Sequence, residues 1–105
     1  MRPFTMLVVL TIKPGRRAEF VVALREVLPR ALGEPACVFL HATESVDEPG
    51  RFVLFESWRD RDEYRNEVLR RDYFRRYLAV SEALYAAPRQ VTLLDPVEVP
   101  PVNMP

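Results

Sequence analysis

A chain of 105 residues with 49% apolar and 29% charged side chains has the size of one globular domain, and this composition excludes disorder along most of its length. Fifteen basic residues balance fifteen acidic ones, so the net field that would draw the chain to nucleic acid or anionic lipid is missing. The lone cysteine, Cys37, excludes an intrachain disulfide and, among apolar neighbours, reads as a small core residue.

The first apolar run, Phe4 to Ile12, is rich in β-branched residues and stops at Pro14-Gly15, which predicts a strand and a turn. It is too short to cross a bilayer, so no membrane association is expected and a cytoplasmic location is the default. Arg16 to Leu32 places Phe20, Leu24, Val27, Leu28 and Ala31 at helical spacing. Pro29 is expected to kink or end that helix near its last turn, and Gly33 to close it.

Ala36 to Glu44 and Arg51 to Trp58 are strand-like, and the Asp47, Pro49 and Gly50 between them supply turn chemistry, so the two predict a hairpin. Alternation sorts the second strand into Phe52, Leu54, Glu56 and Trp58 on one side and Val53, Phe55 and Ser57 on the other. The same rule puts His41 in register with Cys37, Phe39 and Thr43.

Asp60 is placed to cap a helix, with Glu63 three residues on as in a capping box. Tyr64, Val68 and Leu69 follow, Arg70-Arg71-Asp72 break the segment, and Phe74, Tyr77, Leu78, Ser81 and Leu84 form a second helical stripe. Pro88 ends it, Gln90 to Leu94 is the last strand, and residues 96–105 form a Pro-rich tail that is expected to lie on a partner subunit.

The order β, α, β, β, α, β over residues 1–95 predicts an α+β, ferredoxin-like domain: an antiparallel sheet with helices on one face. Because the strands are apolar on both sides, a homodimer that joins two sheets is the economical cover for the other face.

Three segments, Lys13-Pro14-Gly15 after the opening strand, Glu34-Pro35-Ala36-Cys37, and Arg51 to Trp58 followed by Asp60, together with the element order, resemble the antibiotic biosynthesis monooxygenase family. The resemblance implies a dimeric α+β barrel with a pocket between sheet and helices. Some members there oxidise aromatic polyketides or quinols with molecular oxygen and no metal or flavin. Others degrade haem or isomerise small metabolites, so the fold alone leaves the chemistry open. Many members carry histidines at positions that fall here near Glu67 and Asp72, which argues against a haem-degrading reading.

If the Phe52–Trp58 row faces the helices, Trp58 lines the pocket mouth, where it stacks on a planar substrate; otherwise it is a core tryptophan beside a paired Glu56. Leu54, Glu56 and Phe74 are the expected substrate-binding residues. In the polyketide-oxidising members a tyrosine at a place similar to Tyr64 orients or deprotonates a phenol; with an ordinary pKa of about 10, Tyr64 suits hydrogen bonding or packing better than base work. His41, the only histidine, is either a hydrogen-bonded core residue or the group for proton transfer. Arg70, Arg71, Arg75 and Arg76 read as a solvated helix face, and no phosphate loop or serine-nucleophile motif is present. The leading expectation is a cofactor-independent monooxygenase for a small aromatic, phenolic or quinol substrate, with oxygen as co-substrate. An isomerase or lactone-processing enzyme, or a non-catalytic small-molecule-binding dimer, are the alternatives.

Overall fold

The computed structural model describes residues 3–95 and residue 97. Strand β1, Phe4–Thr11, alternates strictly, with Phe4, Met6, Val8 and Leu10 buried on one face. Gly15, at a φ of 79° that a side-chain-bearing residue rarely adopts, turns the chain into helix α1, Arg17–Leu32. That helix buries Phe20, Ala23, Leu24, Val27 and Ala31. It runs through Pro29 to Leu32, because a proline one turn from the end removes a single backbone donor while the next bonds, including Gly33 N–H to the Pro29 carbonyl at 3.1 Å, still form.

Strands β2, Cys37–Glu44, and β3, Arg51–Trp58, form the expected hairpin, its turn closed by Gly50 at a φ of 89°. Helix α2, Arg61–Asn66, starts where the sequence places it: the Asp60 carboxylate accepts the Glu63 N–H at 3.1 Å. The Glu63 side chain itself is engaged by Arg59 at 2.6 and 2.7 Å. A 3₁₀ turn, Val68–Arg70, and an extended Arg71 make the anticipated break before helix α3, Asp72–Glu82. Strand β4, Gln90–Leu94, completes the fold.

The sheet order is β2-β3-β1-β4, every neighbouring pair antiparallel, so β3 lies between β1 and β2 as in a split βαβ unit. All three helices cover one face, and the ferredoxin-like α+β expectation holds. The core sits between that face and the helices, where Phe20 meets Phe52 at 4.7 Å between ring centroids and Tyr64 meets Trp58 at the same distance. Two polar ties pin the helix layer down. Arg17 of α1 forks onto Glu44 at 2.6 and 2.7 Å, and the Gly50 N–H reaches the same carboxylate at 2.9 Å. At the other end Glu34 accepts the Tyr73 hydroxyl at 2.7 Å and pairs with Arg71 at 3.2 Å, while the Arg30 guanidinium sits 4.9 Å over the Tyr73 ring.

Strand β2 departs from simple alternation. The register runs Cys37 opposite Trp58 and then Phe39 opposite Ser57, so Val38 is an extra residue, a bulge. Cys37 therefore packs toward the core, whereas Phe39, His41 and Thr43 share the face of Ser57, Phe55 and Val53. Sequence alternation had put all four on one side. No helix among the described residues is long and apolar enough to cross a membrane. The tail expected at 96–105 lies, apart from Val97, outside the described residues.

Candidate substrate cavity

Between sheet and helices the packing leaves a cavity of about 100 Å³, open to solvent on one side. Its floor comes from the inward row of the sheet, Met6 and Val8 of β1 with Leu54 and Glu56 of β3; its walls come from α1, α2 and α3, among them Leu24, Tyr64 and Phe74. The reason is local. The inward row of β3 is apolar at Phe52 and Leu54 and then carries one carboxylate, and the break at Arg71 sets α2 and α3 on separate lines, so their aromatic faces roof the space rather than fill it. The lining is mostly apolar with few polar groups, the pattern of a small-molecule site.

Of the residues named from sequence, Leu54, Glu56, Tyr64 and Phe74 meet at this cavity. Trp58 does not line it. It is 0% exposed, packed behind Tyr64, and its indole Nε1–H donates to Glu56 Oε1 at 2.9 Å. The pocket-mouth position expected of Trp58 is thus corrected to a supporting one, because residue 58 lies at the end of β3, paired with Phe4 of β1 and covered by the Tyr64 ring of α2. His41 is exposed on the opposite face of the sheet, beside Phe39 at 5.6 Å, and does not share a cavity with Trp58 and Tyr64. The bulge at Val38 and pairing with Phe55 put it there.

Burial dominates the protonation chemistry. It pushes the Glu56 carboxyl above the ordinary carboxylate range, against the Trp58 hydrogen bond and the positive charge of Arg89, both of which favour the ionised form. Burial likewise raises the Tyr64, Tyr77 and Tyr85 hydroxyls and the Cys37 thiol, and the Glu56 charge adds to the effect at Tyr64, Tyr77 and Cys37. Around neutrality these four groups keep their protons and act as donors.

Three polar lining residues escaped the sequence reading as site residues: Tyr77, Tyr85 and Arg89. Tyr77, Ser81 and Tyr85 are spaced by four, which carries the helical stripe past the end of α3, and Ser81 Oγ lies 3.4 Å from the Tyr85 hydroxyl. That spacing was a usable signal. Arg89 had none, since it stands in the link before β4 and reaches the cavity only because β4 pairs with β1. Among the described residues no group of three or more His, Cys, Asp or Glu is placed to hold a metal ion.

A ferredoxin-like sheet with a solvent-connected apolar cavity under its helices, one carboxylate in its floor, defines a small α+β domain with an internal pocket. Residues 3–80 match the model of the antibiotic biosynthesis monooxygenase family, and the chain belongs to that family. Its fold is similar to that of Rv0793 from Mycobacterium tuberculosis, 26% identical with a TM-score of 0.84 over 93% of this chain and 98% of that one. It is also similar to PA3566 from Pseudomonas aeruginosa, 21% identical with a TM-score of 0.83 over 93% and 97%. Protein sll1783 of Synechocystis is 26% identical over 84 residues, and the alignment spans 78% of this chain and 55% of that curated relative, about half its length.

Proposed function

We propose that the protein is a monooxygenase that oxidises a small phenolic or quinol-type aromatic with molecular oxygen, in the cavity lined by Leu54, Glu56, Tyr64 and Phe74. The observation that carries this reading is the pairing of an apolar, aromatic-walled cavity with one buried carboxylate, in a member of a family named for oxygenation. An electron-rich ring, once deprotonated, gives up electrons to oxygen directly, and the site's task is to hold the ring, exclude water and stabilise the anion. Phe74 and Leu54 grip the ring, and the Tyr64 hydroxyl, kept protonated by burial, donates toward ring oxygens. A phenolate ring carbon bearing hydrogen forms a C–O bond to dioxygen. The hydroperoxide then loses that hydrogen as a proton while its O–O bond breaks, leaving a quinone carbonyl and water. All four electrons come from the substrate.

The reading includes a second copy of the chain. Leu7, Val9, Phe39, Val53 and Phe55 share the sheet face that no helix among the described residues covers, and Phe55 is 40% exposed there. A sheet face this apolar fits burial against an identical face across a two-fold axis.

Oxygen-electrode assays against a panel of naphthols and quinols, followed by mass spectrometry of products made under ¹⁸O₂, test the activity. The expected result is one labelled oxygen atom in the quinone product. Turnover that persists under strict anaerobiosis would instead assign the site to acid–base chemistry such as isomerisation, for which a buried carboxylate also suffices.

A further inference from the structure

We propose that Glu56 is the proton acceptor of the cavity and Arg89 its counter-charge, so that the site takes a weakly acidic ring hydroxyl and holds one negative charge, shared between carboxylate and ligand oxygen. This deepens the functional reading above and rests on it for the choice of ligand class, although the proton chemistry does not require oxygen.

The argument is one of elimination by geometry. The groups that face Glu56 are Trp58 on its own strand, Cys37 from β2, Tyr64 from α2, Tyr77 from α3 and Arg89 from the link before β4. Cys37, Tyr64 and Tyr77 stay protonated in these surroundings, so none of them accepts a proton from a bound phenol. His41, the residue type most suited to the task, is on the far side of the sheet. Glu56 remains. It is 5% exposed, it lines the cavity, and Trp58 Nε1 occupies Oε1 at 2.9 Å, while Oε2 accepts no hydrogen bond among the described residues. Since no buried side-chain oxygen or nitrogen among the described residues lacks a partner, this oxygen reaches the solvent-connected cavity, where an entering ring hydroxyl takes the place of water as its donor. Trp58 is then a positioning residue: it fixes the carboxylate's plane and leaves one oxygen for the ligand. Arg89 lines the same cavity from its solvent-exposed end and carries the positive charge felt by Glu56, Tyr64 and Tyr77 alike. The transfer balances simply: the ring O–H bond breaks, an O–H bond forms at Glu56 Oε2, and the pair keeps its single negative charge.

The probe is 4-nitrophenol, with binding measured by titration calorimetry in two buffers of different ionisation enthalpy, at a pH where the free phenol is ionised. In the wild type, phenolate and the Glu56 carboxylate cannot share the cavity without a proton, so binding takes up about one proton. Glu56→Gln is expected to bind the phenolate with uptake near zero, and Arg89→Gln to keep the uptake while weakening binding by about tenfold. Wild-type binding without proton uptake, equal uptake in wild type and Glu56→Gln, or no binding of the probe overturns the proposal. Arg89 is exposed, so its variant tests the charge even if Glu56→Gln fails to fold. Proton uptake that depends on Glu56, in a protein that consumes no oxygen with the phenol panel, supports this proposal and removes only the oxidative reading.

Discussion

Replacing Trp58 with Phe separates packing from electrostatics, because the indole does both jobs at once. It is 0% exposed and fills the space behind Tyr64, and its N–H is the one hydrogen bond to the Glu56 carboxylate among the described residues. The lost volume costs on the order of 1–2 kcal/mol at any pH, a fraction of the full cost of truncating a buried Trp to Ala. The hydrogen bond adds a pH-dependent part: about 1.5–3 kcal/mol when Glu56 is ionised and about 0.5–1.5 kcal/mol when it is neutral. The sign follows from linkage. Burial raises the folded-state pKa of Glu56 above its unfolded value, so the native state holds more protons and wild-type stability falls as pH rises from the ordinary carboxylate range through the folded pKa. Removal of the donor raises that pKa further and steepens the fall. Urea unfolding of wild type, Trp58→Phe, Glu56→Gln and the double variant, at pH 4 and pH 8, is the assay. The variant's cost is expected to be larger at pH 8 by about 1 kcal/mol, with the difference gone in the Glu56→Gln background. A cost independent of pH would refute the reasoning, since it would mean that Glu56 never ionises in the folded protein or that the indole N–H contributes nothing to its charge.

The Arg17 fork, then the Gly50 N–H, hold the Glu44 carboxyl at about 2, below its unfolded value, so the stability from that contact is present above the unfolded pKa and lost as pH falls through about 2. Acid titration followed by circular dichroism should show Glu44→Gln with a shallower loss between those limits than wild type; an identical profile would sink the assignment. Tyr73→Phe removes the 2.7 Å donor to Glu34 and should cost about 1.5 kcal/mol in urea unfolding, with α3 losing hydrogen-exchange protection before the sheet does. Leu54→Trp should fill the cavity and weaken 4-nitrophenol binding by at least about tenfold without loss of fold; unchanged affinity would place the ligand elsewhere. Phe55→Asp on the uncovered sheet face should shift sedimentation from dimer to monomer, and a monomeric wild type would refute the proposed pairing.

Periodicity and punctuation in the chain were enough for the element order, the β2–β3 hairpin, the Asp60 cap and the helix break before Asp72, because each depends on neighbours within about one turn. The inward row of β3 was legible for the same reason, and it delivered Leu54 and Glu56 to the cavity correctly. Tyr64 and Phe74 followed from helical spacing. What local pattern could not decide was anything that hinges on a single inserted residue or on pairing between distant strands. Alternation assigns a face only while the register is unbroken, and the bulge at Val38, visible only against β3, turned Phe39 and His41 outward while Cys37 stayed in. Burial depth is likewise a tertiary quantity: the sequence shows Trp58 on the helix side, but the Tyr64 ring packed on it leaves it fully buried, bonded to Glu56 and outside the cavity lining. Arg89 belongs to the same class, since only the pairing of β4 with β1, which spans most of the chain, brings its charge to the mouth of the cavity.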